Sequence, residues 1–593
     1  MKETITTKAK TYQRTEYPRP QYQRHDWQNL NGTWKFSFDD NNMGEKSQWH
    51  SKPPFANEIQ VPFTYETKAS GIGDETFHPY VWYQRQLQIP NEHADKRVIL
   101  RFQASDYLTK VWINGVFVGS HAGGYAAFSF DISDVIDTSK DNELVVKVED
   151  SQSCYQPRGK QRWIDNNFGC WYVQQTGIWQ TVWLEFLPET TLDNVKITPK
   201  LDTNSVDFEY QLNYLPKEPC RIETTIQFNG EMVKQFSITP NRINEQMEVS
   251  IVSDFHEWKV KHWTPEHPNL YDVTFKVYVE EALTDEVNSY FGMRKISIKD
   301  GKVLLNNTPI YQKLLLDQGY WADTMLTPPS DDAMIEDIEK TIAMGYNGVR
   351  KHQKVEDERF LYWCDKKGLL VWSEMAATYE FSDVAIENFT REWQEIVKQH
   401  YNHPSIITWV PFNESWGVPQ IFTDRKQQTF TEAIYYLTKS IDADRPVIVN
   451  DGWEHTISDI IALHDYEELG DVFYDRYKDK EPILENKIPH NNGKYAFAQG
   501  YSYKGQPVII TEYGGIAFRD EKGWGYGNQV STTEAFLNRF QQITDAIKKL
   551  PYVSGYCYTQ TTDVQQEVNG LLKENREPKV ALEKIKEVND RRL

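Results

Sequence analysis

The sequence lacks the features that mark nucleic-acid-binding proteins and membrane proteins. Lys and Arg together number 65 against 86 Asp and Glu, so the formal net charge is -21. Because phosphate binding needs basic patches, we expect no nucleic-acid partner. No run of about 18 apolar residues occurs, and we therefore expect no membrane-spanning helix.

Cysteine is scarce and scattered. The five cysteines form no C-x-x-C pair, which argues against both a disulfide framework and a zinc site. We expect buried free thiols, no metal and no cofactor. Residues 1–8 contain no apolar h-region of a secretory signal, so we expect a cytoplasmic protein.

The chain is long and rich in aromatic residues. A chain of 593 residues is expected to fold into several domains. It contains 19 Trp and 34 Tyr, whose rings fill protein cores and also stack on the apolar faces of sugars. The composition is therefore compatible with carbohydrate as the partner.

The first half of the chain has the pattern of two β domains. Short alternating runs such as residues 33–38, separated by turns such as Asn114-Gly115, predict a β jelly-roll sandwich over residues 1–190. Similar runs continue over residues 191–297, a length that fits an immunoglobulin-like β-sandwich. These β domains are also the candidates for joining subunits of a homo-oligomer.

From residue 298 to residue 593, strand-like runs alternate with amphipathic helices. About eight strand–helix units predict a (β/α)8 TIM barrel. The alternative is a doubly wound open sheet, but no Gly-rich phosphate loop opens a helix here. The apolar rhythm places helices near residues 331–344, 357–367, 386–400, 430–441 and 533–549, and one strand at residues 446–449.

Two of the predicted barrel strands end in a glutamate. Four or five apolar or β-branched residues precede the pair Asn413-Glu414, and a similar run precedes Glu512. Buried parallel strands have this pattern, and barrel active sites lie at their carboxyl ends. Hydrolysis of a glycosidic bond with retention needs two carboxyl groups about 5 Å apart, one as acid/base and one as nucleophile.

The chain resembles glycoside hydrolase family 2, which contains β-galactosidases and β-glucuronidases. The resemblance rests on an ordered set of segments: His121-Ala122-Gly123-Gly124-Tyr125, Thr176-Gly177-Ile178-Trp179, Asn347-Gly348-Val349-Arg350, His403-Pro404-Ser405 and Asn413-Glu414. It implies that Glu414, after the fourth strand, is the acid/base and that Glu512, after the seventh, is the nucleophile. The 98 positions between them fit three strand–helix repeats.

The resemblance also implies roles for neighbouring residues. Asn413 is expected to bind the sugar 2-hydroxyl, the alternative being a turn asparagine. Arg350 is expected to orient the nucleophile, the alternative being a structural ion pair. His352 follows Lys351, where better-known relatives have a Ser-His pair, and it is either a sugar ligand or a packed histidine.

Five further residues are predicted to bind substrate from their places at or near strand ends. Asp317 ends the first strand and is a candidate for a sugar hydroxyl or a turn. Glu374 ends the third and is a candidate for substrate hydroxyls, a cation or a salt bridge. His464 begins the cluster His464-Asp465-Tyr466 after the sixth strand. Tyr513 is next to the predicted nucleophile, and Trp524 is a candidate stacking platform, as are Trp416, Trp453 and Tyr558.

The predicted substrate is a neutral sugar. Glucuronidase relatives carry Asn-x-Lys late in the barrel, whereas this chain has Glu567-Val568-Asn569, and a glutamate there would repel a carboxylate. We expect a retaining exo-glycosidase acting first on β-galactosides, with α-L-arabinosides, β-mannosides and β-glucuronides as alternatives. A catalytically inactive carbohydrate-binding protein and a structural β-domain protein are the alternatives from other classes.

Overall fold

A computed structural model describes residues 12–252, 260–519 and 521–593. The prediction that no secretory signal opens the chain concerns residues 1–8, which lie outside the described residues. Among the residues described, no helix is both long and apolar enough to cross a membrane.

The N-terminal part is a sandwich of two antiparallel sheets, as predicted. Its larger sheet has the order β3-β2-β4-β10-β7-β8 and its smaller sheet the order β1-β12-β5-β9. Alternate side chains such as Leu100, Val146 and Leu184 point between the sheets and form one core. The strands are β1 (Trp27–Asn29), β2 (Gly32–Phe38), β3 (Asn57–Val61), β4 (Tyr80–Leu87), β5 (Arg97–Phe102), β6 (Ser105–Asp106), β7 (Leu108–Ile113), β8 (Val116–Ala122), β9 (Phe128–Asp131), β10 (Asn142–Glu149), β11 (Gly177–Ile178) and β12 (Val182–Leu187).

The immunoglobulin-like sandwich follows. Sheets of order β13-β14-β17 and β16-β15-β18-β19 enclose a core that includes Phe208 and Phe275. A small sheet, β20-β21-β22, leads into the barrel. The domain boundaries after residues 190 and 297 stay predictions. The strands are β13 (Leu192–Lys200), β14 (Ser205–Leu212), β15 (Cys220–Phe228), β16 (Glu231–Ile238), β17 (Asn244–Ser250), β18 (Tyr271–Val279), β19 (Ala282–Phe291), β20 (Ile296–Lys299), β21 (Lys302–Leu305) and β22 (Thr308–Pro309).

The C-terminal part is the TIM barrel. Its parallel sheet has the order β26-β25-β24-β23-β31-β30-β29, and the helices pack outside it. The strands are β23 (Gln312–Asp317), β24 (Gly348–Lys351), β25 (Leu370–Glu374), β26 (Ile406–Val410), β27 (Phe412–Asn413), β28 (Asn450–Asp451), β29 (Ile461–His464), β30 (Val508–Gly514) and β31 (Val553–Thr559). The helices are α1 (Asp331–Ala343), α2 (Glu358–Lys367), α3 (Asp383–Gln399), α4 (Arg425–Ile441), α5 (Gly470–Tyr477), α6 (Glu481–Leu484), α7 (Thr533–Lys548) and α8 (Leu582–Asp590).

The fifth barrel strand was predicted at residues 446–449, but the strand in the structure is shorter and lies later in the chain. Only β28, the two residues that directly follow this segment, is a strand, and it pairs with β27. Val447 forms a single bridge with Trp409 of β26, in which Trp409 N donates to Pro446 O and Ile448 N donates to Trp409 O, both at 3.0 Å. On its other side the Val447 amide donates to the Asp459 side chain at 2.9 Å in place of a main-chain acceptor. The amide of His464 donates to Gly452 O at 3.3 Å, which brings the sixth strand beside the fifth and closes the ring.

The N-terminal sandwich contacts the open end of the barrel through a loop that follows β10. The amides of Arg158 and Gly159 donate to Ala377 O at 2.9 and 3.1 Å. Gly159 has φ +62°, and a Cβ there would lie 2.3 Å from Gln353 O, so only glycine allows this approach. This loop therefore forms part of the rim at the carboxyl ends of the barrel strands.

Candidate active site

The barrel brings the two predicted catalytic glutamates together. Glu414 directly follows β27 and Glu512 lies in β30. One carboxylate oxygen of each glutamate and one ring nitrogen of His464 all lie within 4.8 Å of one another. Glu414 and Ser415 have φ of +51° and +60°, a left-handed turn that directs the chain out of the strand at this point.

Glu512 is held in its charged form by three neighbours. Its Oε1 accepts from Arg350 Nη1 at 2.9 Å, and its Oε2 accepts from the Tyr466 hydroxyl at 2.5 Å. His464 Nδ1 lies 3.4 Å from Oε2. Burial alone would raise the pKa of Glu512, but the positive charges of His464 and Arg350 outweigh it and lower the pKa to about 2. Glu512 is therefore ionised at neutral pH.

His464 lies between both glutamates. Its Nδ1 is 2.8 Å from Glu414 Oε1, and its Nε2 is 2.9 Å from Asp451 Oδ1. Burial would lower the pKa of His464, but Glu512, Asp451 and Glu414 together raise it to about 10. A protonated ring donates from both nitrogens and has no lone pair for a metal ion. The close grouping of Glu414, His464 and Glu512 is thus better suited to hydrogen bonding than to cation binding.

Arg350 is fully buried at the base of the site. Besides Glu512, its guanidinium donates to Glu374 Oε2 at 2.6 Å and to Asn413 Oδ1 at 2.7 Å, and it lies 3.1 Å from Asp451 Oδ2. Both interpretations of Arg350 in the sequence therefore describe its position: it contacts the predicted nucleophile, and it forms structural ion pairs. The same guanidinium fixes Asn413, leaving the buried Nδ2 of Asn413 without a partner among the described residues.

Glu374 and His352 lie beside Arg350. Burial raises the pKa of Glu374 to about 7, although Arg350 opposes the shift. His352 Nδ1 is 3.0 Å from Arg350 Nη2 and 4.0 Å from Glu512 Oε1. Burial, together with the charges of Lys160 and Arg350, moves the pKa of His352 well below its ordinary value, so the ring is neutral.

Three residues predicted to bind substrate have other contacts in the structure. Asp317 accepts from Lys351 Nζ at 2.6 Å and from the Gly319 amide at 2.8 Å, which is the turn role considered as its alternative. The Tyr513 hydroxyl is 2.9 Å from Thr544 Oγ1 in α7. Because neighbouring residues of a strand face opposite ways, Tyr513 points to the helical layer while Glu512 points into the barrel. This placement argues against substrate binding by Tyr513.

Trp524 lies at the rim, where its Nε1 donates to Gly169 O at 2.9 Å. Its ring packs edge-on against Tyr526, and Tyr526 stacks on Tyr466 with ring centroids 3.4 Å apart. Trp524 thus supports the residues around Glu512 from outside.

Sequence reasoning missed Asp451, which contacts both Arg350 and His464. The signal for Asp451 was weak because its strand has two residues and follows Pro446 at a short distance. Tyr466 was noticed only as a member of the cluster that begins at His464, although its hydroxyl contacts Glu512.

The N-terminal sandwich adds aromatic side chains that contact Trp416, two residues after Glu414. Trp171 meets Trp416 edge-on at 5.2 Å, and Tyr379 lies against both Trp163 and Trp416. Trp171 Nε1 and Trp416 Nε1 have no hydrogen-bond partner among the described residues. The charged groups around Glu512 and this aromatic cluster therefore lie at the same end of the barrel, a combination that suits sugar binding.

Comparisons with known families agree with this architecture. The family profile described as "Glycosyl hydrolases family 2, sugar binding domain" matches residues 27–188. The profile "Glycosyl hydrolases family 2" matches residues 190–294, and "Glycosyl hydrolases family 2, TIM barrel domain" matches residues 296–591. Together the three profiles match most of the chain.

Among curated proteins, the chain is similar to a beta-galactosidase of Thermoanaerobacter pseudethanolicus. The two are 25% identical over 559 residues, which cover 90% of this chain and 66% of that protein. It is also 23% identical to a beta-glucuronidase of Streptococcus agalactiae, with 94% of this chain and 95% of that protein covered. This chain therefore spans slightly less than two thirds of the first relative and nearly all of the second.

Among solved structures, the chain is similar to a b-glucuronidase from Ruminococcus gnavus in complex with D-glucuronic acid. The TM-score is 0.77 at 19% sequence identity, and the match covers 97% of this chain and 99% of that chain. At this identity the likeness establishes the fold and leaves the substrate open.

Proposed function

Because the chain belongs to glycosyl hydrolase family 2 and is a glycoside hydrolase, we propose that it is a retaining exo-glycosidase. It removes a neutral sugar, first of all β-galactose, from the end of a glycoside. The observation that carries the proposal is the separation of Glu414 and Glu512, whose oxygens lie within 4.8 Å. Retaining enzymes have carboxyl groups this close, whereas inverting enzymes need room between them for a water molecule.

Glu512 is the nucleophile in this proposal. It attacks the anomeric carbon as a carboxylate, and its lowered pKa keeps it in that form. Arg350 and the Tyr466 hydroxyl hold one oxygen each, so the carboxylate has little freedom to turn away.

Glu414 is the acid and then the base. Its side chain is 21% exposed, so it is accessible from the pocket where the leaving group departs. In the first step it donates a proton to the leaving oxygen while His464 stabilises the charge on Glu512. Once Glu512 becomes an ester its charge is lost, and the same Nδ1–H of His464, 2.8 Å from Glu414, stabilises Glu414 as a carboxylate that activates water.

The sugar is proposed to be neutral because of Glu567. Its carboxyl group is buried near the pocket and accepts from the Tyr172 hydroxyl, and a uronate would bring a second carboxylate beside it. The beta-galactosidase relative supports galactose as the first choice. A β-glucuronide is the second candidate, since the solved relatives and the Streptococcus agalactiae relative carry that activity in their names.

A panel of nitrophenyl glycosides tests the proposal. The wild type is incubated with β-galactoside, α-L-arabinoside, β-mannoside, β-glucoside and β-glucuronide, and release of nitrophenol is measured. Glu414→Gln and Glu512→Gln are the controls, and both should be inactive on the sugar that the wild type prefers. Preference for the glucuronide would refute the neutral-sugar assignment, and no hydrolysis of any glycoside would refute the exo-glycosidase.

A further inference from the structure

Lys160 enters the barrel mouth from the N-terminal sandwich. The amide of its neighbour Gly159 and the amide of the preceding residue both donate to Ala377 O, and these two hydrogen bonds fix Gly159 on the barrel. Gly159 O accepts from the Tyr379 hydroxyl at 2.5 Å, and its Cα lies against the backbone of Gln353. Because Gln353 follows His352, this contact places Lys160 next to the base of the active site.

The ammonium group of Lys160 is buried without a counter-ion in contact. Lys160 is 6% exposed; its Nζ donates to Cys170 Sγ at 3.1 Å and lies 5.5 Å from the centroid of the Trp171 ring. Within the described ranges, no carboxylate oxygen lies within 4.0 Å of this nitrogen. Buried charges in proteins are normally paired, so an ammonium in this position is suited to a ligand that supplies an oxygen.

Glu567 faces the same region from the loop after β31. It is 3% exposed, and its Oε2 accepts from the Tyr172 hydroxyl while its Oε1 accepts from Asn569 Nδ2 at 3.1 Å. Burial raises the pKa of Glu567, and the charge of Lys160 is the strongest effect opposing that shift. Lys160 also acts on His352, where its effect exceeds that of the adjacent Arg350. The amide of Tyr172 donates to Lys160 O at 2.8 Å, and the hydroxyl of the same tyrosine donates to Glu567 Oε2. Tyr172 therefore connects Lys160 with Glu567, although the two charged groups do not form an ion pair with each other.

We propose that Lys160 and Glu567 bind one hydroxyl group of the terminal sugar between them. The inference rests on the proposed glycosidase activity. Nζ donates to the hydroxyl oxygen, and the hydroxyl proton is donated to the Glu567 carboxylate, so all three groups are satisfied. A sugar carboxylate has no proton to give, and it would meet the negative charge of Glu567.

Two domains therefore supply the two halves of one hydroxyl site. The cation comes from the N-terminal sandwich and the carboxylate from the barrel. The sugar pocket is incomplete without the sandwich, which contributes to the choice of sugar as well as to the stability of the chain.

The test measures kcat/KM for the preferred nitrophenyl glycoside and for its monodeoxy derivatives, each lacking one hydroxyl. Wild type, Lys160→Met, Glu567→Gln and the double variant are compared. Lys160 has no carboxylate partner that its replacement would leave buried and alone, and methionine fills the space with an apolar side chain of similar length, so Lys160→Met should fold with a melting temperature close to that of wild type. Lys354→Met is the control, because Lys354 is also buried but has an ion pair with Glu356 at 3.0 Å and donates to Gly319 O and Leu326 O at 2.7 and 2.8 Å.

We expect Lys160→Met to lower kcat/KM for the full sugar by about tenfold or more, the usual effect of losing a hydrogen bond to a charged group. On the one deoxy derivative that lacks the bound hydroxyl, wild type and Lys160→Met should have equal kcat/KM. Glu567→Gln should likewise equal wild type on that same derivative and on no other. Lys354→Met should lower the melting temperature without singling out any hydroxyl.

Equal activity of Lys160→Met and wild type on every sugar would overturn the inference, as would an equal loss on every deoxy derivative. A wild type that prefers a uronide, and loses that preference in Lys160→Met, would assign Lys160 to a carboxylate instead. A wild type inactive on all glycosides would refute the proposed function itself, which distinguishes the two failures.

Discussion

Replacing Glu414 by alanine separates the two steps of the proposed mechanism. The substitution removes the proton donor and leaves Glu512 with its contacts to Arg350, Tyr466 and His464. The nucleophile should therefore still attack, and the loss should depend on how much protonation the leaving group needs.

The magnitude follows from the chemistry of the leaving group. General acid catalysis contributes about 10²–10⁴-fold, so an alkyl or sugar aglycone should lose that much in kcat/KM. A dinitrophenolate leaves without a proton, so its kcat/KM should change by less than about tenfold by the same reasoning. The second step loses its base for every substrate, so the glycosyl ester on Glu512 should accumulate and a burst of dinitrophenol should appear.

Azide provides the decisive assay. Glu414 is partly exposed, so the space left by its carboxylate is open to a small anion. Added azide should restore turnover of Glu414→Ala and give a glycosyl azide with the configuration of the substrate, measured from the anomeric proton by NMR. Glu512→Ala is the matched control, in which any azide product should have the opposite configuration. The same loss for all leaving groups, or an inverted azide from Glu414→Ala, would refute the assignment of the two glutamates.

Two further predictions concern groups at the site, and a third concerns Glu392, a buried glutamate of α3 that accepts from the Tyr125 amide. Tyr466→Phe removes the hydrogen bond to Glu512 at 2.5 Å and should lower kcat by about 10- to 100-fold with little change in KM, measured by steady-state kinetics. Arg350→Met leaves several buried carboxylates without their cation and should destabilise the fold by about 3 kcal/mol or more, measured by urea unfolding, and a normal midpoint would contradict this. Burial raises the pKa of Glu392 to about 8, above its unfolded value of 4.5. Its contribution to stability is therefore fully present below pH 4.5 and is lost as the pH rises to about 8, so the melting temperature should fall further over this range in wild type than in Glu392→Gln.

The barrel and its two glutamates were predictable because their signals are local. An apolar run that ends abruptly in Asn413-Glu414 is typical of a buried barrel strand that opens into a site, and the ordered motifs fix its place in the barrel. The predicted helix starts near residues 386 and 430 were late. The first turn of α4 is polar, whereas α3 begins with the exposed residues Asp383 and Val384, and the caps Ser382 and Asp424 mark the two starts.

The rest of the site depends on contacts between distant parts of the chain. Asp451 comes from a strand too short for any periodicity, yet it contacts Arg350 and His464. Lys160 comes from another domain, and nothing around it in the sequence connects it with the barrel. For Tyr513 the sequence alone was sufficient. Side chains alternate along a strand, so Tyr513 and its neighbour Glu512 face opposite sides of the sheet.

The close packing of Gly159 against the barrel backbone affects how this chain can acquire new substrates. The reacting carboxylates belong to barrel strands, where most substitutions would disturb the ion pairs around Arg350. The loop that carries Lys160 belongs to a different folding unit and has no part in bond breaking. Natural variation or laboratory selection can therefore exchange side chains in that loop, and so retune the accepted glycan, while the chemical step stays intact.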